Sequence, residues 1–173
     1  NIIKSKFTSN SANKANTDPI YQTTDENRIA YGSGGVIYNL GSLYIYDTIF
    51  EYNTAKTMGG AIVSSSNSGI KDFLIVNSTF NHNSAQGGGA INVIQNNNLV
   101  IFNSSFYENE GTVQLGGALM ISRSTLTMDR VNMTSNSAAY GGGAIAMWYT
   151  DATITNSNII GNMADVGGGI YFS

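Results

Sequence analysis

Residues 80–91 read Phe80-Asn81-His82-Asn83-Ser84-Ala85-Gln86-Gly87-Gly88-Gly89-Ala90-Ile91. Two motifs lie in this stretch: an apolar residue followed three positions later by Asn, and a glycine pair followed by a small or apolar residue. Both recur along the chain, and a fixed period in the 20–50 residue range is the signature of a stacked repeat architecture. The first motif occurs at Phe7/Asn10, Phe50/Asn53, Phe80/Asn83, Phe106/Asn109, Met133/Asn136 and Ile159/Asn162, with Asn steps of 43, 30, 26, 27 and 26. The second occurs at Gly34-Gly35-Val36, Gly59-Gly60-Ala61, Gly88-Gly89-Ala90, Gly116-Gly117-Ala118, Gly142-Gly143-Ala144 and Gly168-Gly169-Ile170. In the last five copies the Asn and the second Gly stay 6 to 8 residues apart, so the motifs keep phase. In the first copy they are 25 apart, which predicts an inserted surface loop over 11–33 that contains Pro19 and the acidic run Thr24-Asp25-Glu26.

Ahead of each Asn, apolar and polar residues alternate, as in Leu43-Tyr44-Ile45-Tyr46 and Leu126-Thr127-Met128-Asp129. Period two means strands. After each glycine pair comes a β-favouring run such as Ala61-Ile62-Val63 or Ala144-Ile145-Ala146-Met147, then a polar turn. Each copy thus reads as two or three short strands. A unit of 26 residues has no room for a crossover helix, so its strands can pair in parallel only with the next copy, by winding about a common axis. The fold class predicted is all-β, a single-stranded right-handed parallel β-helix of about six coils spanning 1–173.

Winding turns each motif position into a column with the spacing of paired strands, about 4.8 Å. Phe7, Phe50, Phe80, Phe106, Met133 and Ile159 form the expected inward apolar column. Asn10, Asn53, Asn83, Asn109, Asn136 and Asn162 form the expected structural Asn column, where an amide that both donates and accepts satisfies the backbone of a buried bend. The glycines are expected to permit tight turns and close approach between coils.

The chain has 173 residues, 42% apolar, with one Pro, no Cys and few charges, 8 basic against 11 acidic. Its 22 Asn, 19 Ser and 15 Thr beside 20 Gly disfavour long helices. No basic stripe exists to neutralise phosphates, which argues against nucleic acid as a partner. No apolar run reaches the length of a membrane helix, which argues against direct membrane insertion. Lack of Cys removes thiol chemistry and disulfides without fixing a compartment.

The pairing of FxxN with GGA and an aliphatic residue, as in Phe80 to Asn83 with Gly88-Gly89-Ala90-Ile91, resembles the repeats of the chlamydial polymorphic outer-membrane proteins. Similar repeats occur in large surface proteins of other bacteria and of some protists. The resemblance covers Gly34 to Ser173 well, with Met133 and Ile159 in place of Phe, and Val36 and Ile170 in place of Ala. It implies a β-helix and a secreted or surface-exposed passenger with adhesive or structural roles.

Chemistry was sought position by position. Glycoside hydrolysis needs two carboxyls facing one cleft, roughly 5–9.5 Å apart, yet Asp47, Glu51, Asp72, Glu108, Glu110, Asp129, Asp151 and Asp165 are scattered along the chain. Asp47 with Asp72 is the pair an enzyme would use. Arg123 and Arg130 lie near Asp129 alone, the pattern of a surface ion pair. His82 is the only histidine and, without Cys, has no companions for a metal site or a triad. Gly87-Gly88-Gly89 and Gly141-Gly142-Gly143 lack the Lys-Ser/Thr and helix of a phosphate cradle. The reading is therefore of no catalytic, metal or cofactor site. Thr125-Leu126-Thr127 and Thr153-Ile154-Thr155 form two outward pairs of the ice-binding kind, and Tyr44, Tyr46, Tyr107, Trp148 and Tyr149 are candidate contact aromatics.

Three sequons, Asn77-Ser78-Thr79, Asn103-Ser104-Ser105 and Asn132-Met133-Thr134, make Asn77, Asn103 and Asn132 candidate N-glycosylation sites, expected outward on one strand column. The chain begins in Asn1-Ile2-Ile3-Lys4 and stops at Gly169-Ile170-Tyr171-Phe172-Ser173 without polar caps. That predicts end-to-end partners, either adjoining β-helix coils or copies of itself. The leading expectation is a non-catalytic, extracellular or cell-surface rod or filament subunit, a glycoprotein if its source is a eukaryote that secretes it and otherwise with Asn77, Asn103 and Asn132 as ordinary polar residues. An adhesin passenger using the 11–33 loop and exposed tyrosines, and a polysaccharide-processing enzyme, are the alternatives.

Overall fold

The computed structural model describes residues 1–13, 32–66, 68–95 and 97–173. Every described element is a strand, and every strand pairing is parallel. Four sheets run the length of the molecule. Sheet A stacks Ile2–Ile3, Leu43–Tyr46, Lys71–Val76, Asn97–Phe102, Thr125–Asp129 and Asp151–Thr155. Sheet B stacks Lys6–Thr8, Ile49–Glu51, Thr79–Asn81, Ser105–Tyr107, Asn132–Thr134 and Asn158–Ile160. Sheet C holds two-residue strands such as Ser84–Ala85 and Glu110–Gly111, and sheet D runs from Ile37–Asn39 to Ile170–Phe172. The chain visits A, B, C and D in order and returns to A one strand further on, which is a parallel β-solenoid. Each coil contains four strands, more than the two or three read from the sequence, because strands of two residues are too short to show alternation.

The apolar motif positions pair directly with one another in sheet B, from Phe7 through Phe50, Phe80, Phe106 and Met133 to Ile159. Their rings stack face to face, with centroids 4.7 Å apart for Phe50–Phe80 and 4.8 Å for Phe80–Phe106, both at an interplanar angle of 4°. The strand spacing sets this distance, so the phenyl planes lie perpendicular to the axis. With Ile45, Phe73, Ile75, Leu99, Ile101 and Met128 from sheet A and Ile62, Ile91, Leu119 and Ile145 from sheet D they fill one continuous core. At roughly 1.5–3 kcal/mol for each fully buried large apolar side chain, this column is the main favourable contribution to folding.

The two glycines of the motif are needed for different reasons. The first sits in the left-handed region, with φ of 60° at Gly59, 57° at Gly88, 72° at Gly116 and 66° at Gly142. The second lies under the next coil. A Cβ on Gly89 would fall 2.2 Å from the Gly117 carbonyl oxygen, and one on Gly117 would fall 2.0 Å from that of Gly143. In the last coil the frame differs from the sequence reading. Ile170 pairs with Ile145, and the Gly169 carbonyl accepts from the Ala144 N–H, so the motif there is Gly167-Gly168 with Gly169 at the Ala position. Three consecutive glycines admit both frames, and the strand pairing selects the earlier one.

Ser11 and Ala12 pair with Thr54 and Ala55, and Gly32 and Ser33 bond to Thr57. Both ends of the expected 11–33 loop therefore belong to a coil. Residues 14–31, with Pro19 and Thr24-Asp25-Glu26, lie outside the described residues.

Candidate functional site

Two polar ladders occupy the corners of the coil. At the corner between sheets B and C, Asn53, Asn83, Asn109 and Asn136 are fully buried. The Oδ1 of each accepts twice from the Asn one coil back: Asn109 Oδ1 takes the Asn83 backbone N–H and the Asn83 Nδ2, both at 3.0 Å. The Nδ2 of each donates twice, for Asn109 to Asn136 Oδ1 at 2.9 Å and to the Phe80 carbonyl at 3.0 Å. The pattern extends from Asn10 to Asn162. An isosteric carboxylate could accept these bonds but not donate them, which accounts for an amide at every step.

A second ladder, which the sequence reading missed, runs at the corner between sheets A and B. The hydroxyls of Thr48, Ser78, Ser104 and Ser157 each donate to the carbonyl two residues earlier, at 2.7–2.8 Å. All four accept a backbone N–H from the preceding coil: Thr48 from Ser5, Ser78 from Thr48, Ser104 from Ser78, and Ser157 from Val131. Val131 interrupts the column, since it offers Ser104 no hydroxyl. The repeat step that links Ser78, Ser104 and Ser157 was present in the sequence but was masked by reading Ser and Thr only as turn formers.

Each corner also exposes a column of residues with left-handed backbone. Asp47, Asn77, Asn103, Arg130 and Asn156, with φ between 46° and 55°, form one. Asn103 Nδ2 donates to Asn77 Oδ1, and Asn77 Nδ2 to Asp47. Asn132 is not in this column. It lies in a sheet B strand, paired with Ser105 and Asn158, and its Oδ1 accepts from Asn158 Nδ2. The three sequon asparagines are exposed, although the residue after each, Ser78, Ser104 or Met133, is buried, and the three do not share a column as expected.

The carboxylates disperse. Asp47 stacks with Asn77, whereas Asp72 pairs with Asn98 at the opposite end of sheet A, five residues or about 16 Å away along the strand. They do not face one cleft, and the enzyme reading loses its pair. Asp129 is held below the usual carboxylate range by hydrogen bonds from Asn156 and Thr155, with Arg130 adding to both effects. Glu51 is lowered likewise by Lys6. His82 contacts Glu108 and stacks on Tyr52, with ring centroids 4.6 Å apart. Among the described residues no three His, Asp or Glu side chains gather as a metal site. The two Thr-x-Thr segments are staggered: Thr127 pairs with Thr153, but Thr125 meets Asp151 and Thr155 meets Asp129.

Sheet A carries the concave part of the surface. A groove of about 560 Å³ is lined by Ile70, Asn98, Arg123, Thr125, Tyr149 and Asp151 among others. It shares Asn98 with a smaller depression of about 150 Å³ beside Tyr44, Asp72, Leu74 and Val100. It meets another of about 550 Å³ at Thr125 and Asp151. Along the axis the polar edge is Asp72, Asn98, Thr125 and Asp151, one residue per coil.

Residues 47–65 match the model of the Chlamydia polymorphic membrane protein (Chlamydia_PMP) repeat. That segment holds Phe50 and Asn53 of the two columns and Gly59-Gly60-Ala61-Ile62, the parts that the winding requires. Residues 47–65 are similar to one repeat of that family, and they form part of a parallel β-solenoid. The other copies of the repeat follow the same pairing register, with Met133, Ile159, Val36 or Gly169 at motif positions. No curated protein and no solved structure matches the chain.

Proposed function

We propose that this chain is a non-catalytic structural rod segment displayed at a cell surface or outside the cell. The observation that supports the reading most is the unbroken Asn ladder from Asn10 to Asn162, which commits the interior polar groups of every coil to holding the next coil in place. The likeness of residues 47–65 to a repeat of membrane-associated proteins supports the location. An antibody to the folded chain should label intact source cells as strongly as permeabilised ones. Labelling that requires permeabilisation would remove the surface reading.

The ladder is also directional. From Asn10 to Asn136 each Asn donates its backbone N–H and Nδ2 to the Asn Oδ1 one coil toward the C-terminus, and no Asn-to-Asn bond runs the other way, so end-to-end partners, whether further coils or second copies, join head to tail and never head to head. In a secretory host the exposed sequon asparagines carry N-glycans, with Asn77 and Asn103 competing for the same space one coil apart. Intact mass before and after enzymatic deglycosylation reads this directly.

A further inference from the structure

We infer that the outer face of sheet A is an interface between two copies of this chain, packed side by side with their axes antiparallel. The strands Leu43–Tyr46, Lys71–Val76 and Asn97–Phe102 turn Tyr44, Tyr46, Leu74, Val76, Val100 and Phe102 outward, half-buried and in strand-to-strand register. The following strand turns Thr127 and Asp129 outward at the same positions, which ends the apolar patch along the axis. Across the strands its margins are Asp72 and Asn98 on one side and the corner residues Asp47, Asn77, Asn103 and Arg130 on the other. The Arg130 guanidinium carbon lies 4.0 Å from the Phe102 ring centroid, so this charge sits at the edge of the patch. An apolar centre inside a polar rim is the anatomy of a protein interface. Among the described residues no other sheet offers one: the outward Val63 and Met120 of sheet D are buried, and sheets B and C turn Thr79, Ser105, Ser84 and Ser137 outward.

The order of residues along the columns selects a second copy as the occupant. When two such faces meet about a two-fold axis running parallel to the strands between Leu74 and Val100, each column lies on itself with its coils reversed. Leu74 then meets Val100 and Val76 meets Phe102, apolar on apolar. Asp47 falls opposite Arg130, Tyr46 opposite Asp129 and Asp72 opposite Asn98, so the rim supplies its own counter-charges and hydrogen-bonding partners. Two-fold symmetry makes each of these pairs occur twice. Sliding one copy by a coil in one direction sets Asp72 on Asp72, and sliding it in the other sets Val76 on Asp129. Both alternatives oppose like charges or bury a carboxylate against an apolar side chain, which fixes the register. The face measures about 20 Å each way, and with side-chain relief two of them bury on the order of 1,000 Å², the lower limit for a specific interface. Such a pair is weak and dissociates at micromolar concentration or above.

Sedimentation equilibrium of the 173-residue chain, produced without glycans, tests this. Asn77 and Asn103 stand beside the patch, so a sugar on either would cover it, and pairing and glycosylation there exclude each other. The mean mass should rise from micromolar to millimolar concentration and stop at two copies, because a two-fold contact closes on itself whereas head-to-tail stacking continues. Val100→Glu should abolish pairing without shifting the melting temperature of the dilute chain. Asp47→Arg and Arg130→Asp should each weaken pairing by about tenfold or more, and the two together should restore it, since the charges are exchanged and still opposite. Concentration-dependent amide shifts on the wild-type chain should centre on Leu74, Val76, Val100 and Phe102, which keeps the test decisive even if a variant unfolds. A monomer at millimolar concentration, association that Val100→Glu leaves intact, or a double charge variant no better than its parents would overturn the inference. So would binding of phosphatidylcholine vesicles through this face in place of pairing. None of these outcomes bears on the rod reading, which stands on surface labelling.

Discussion

Asn109 shows what a single residue contributes to this architecture. Replacing it with Ala would leave the Asn83 N–H and Nδ2, the Phe80 carbonyl and the Asn136 Oδ1 each short of a partner in a dry corner. Asn83 Nδ2 keeps the Phe50 carbonyl and Asn136 Oδ1 keeps the backbone N–H of residue 109, but the Asn83 N–H is orphaned at about 1–3 kcal/mol and the lost bonds add to it, so Asn109→Ala should lose about 3 kcal/mol in urea unfolding. Asn109→Asp should fare no better, because a carboxylate cannot donate to Phe80 or Asn136. Val131 makes the opposite case. Thr48 fills the equivalent position in another coil with its hydroxyl on the Tyr46 carbonyl. Val131→Thr should therefore bond to the Asp129 carbonyl and receive the Ser104 N–H, raising stability by about 0.5–1.5 kcal/mol in the same measurement. Acid acts at Asp129 and Glu51. Both have native pKa values below their ordinary ones of 3.8 and 4.5, so their contribution is complete above those values and declines as pH falls through the lower native values. Thermal melts should drop in that acid range, and Asp129→Asn should remove part of the drop.

At the scale of the element, the turn that precedes sheet D separates two glycine requirements. Gly117→Ala places a Cβ 2.0 Å from the Gly143 carbonyl oxygen, a backbone atom that moves only if two coils part. The variant should be insoluble or melt far below wild type. Gly168→Ala, in the same column, meets nothing nearer than the Asn162 carbonyl oxygen at 3.1 Å. It should leave the melting temperature of the 173-residue chain close to wild type, so thermal melts of the two variants side by side separate a methyl that meets the next coil's backbone from one that does not. The sequence made the winding legible because two motifs kept phase over five copies, and phase is what stacking requires. It left sheet C unread, since Ser84–Ala85 is too short to alternate. It placed the last glycine pair one residue late, since spacing alone cannot choose within Gly167-Gly168-Gly169. The polar edge column of sheet A was in reach: Asp72, Asn98, Thr125 and Asp151 are separated by 26, 27 and 26 residues, the same step as the Asn column. Reading acidic residues only as catalytic pairs hid that period.

For the whole molecule, the decisive property is that each coil touches only its neighbours, so stability is close to a sum over coils and interfaces. Removing Ser78 to Asn103 deletes 26 residues, the interval between Asn77 and its stacked partner Asn103. The new junction joins Asn77 to Ser104 and brings Phe50 against Phe106, Asn53 against Asn109 and Gly60 against Gly117, each pair being like on like. This chain should fold, and small-angle scattering should show a rod shorter by about 4.8 Å. Deleting Ser78 to Phe102 instead removes one residue fewer. The chain downstream of the cut then arrives one residue late, and because side chains alternate with period two, Phe106 would turn from the core to the surface. The register could be recovered only by bulging the extra residue out of a corner already occupied by the hydroxyl ladder, and no side chain there gains burial from doing so. The 25-residue deletion should thus melt well below the 26-residue one, although it keeps more of the sequence. Equal melting temperatures for the two would mean that the columns are not what holds the rod together.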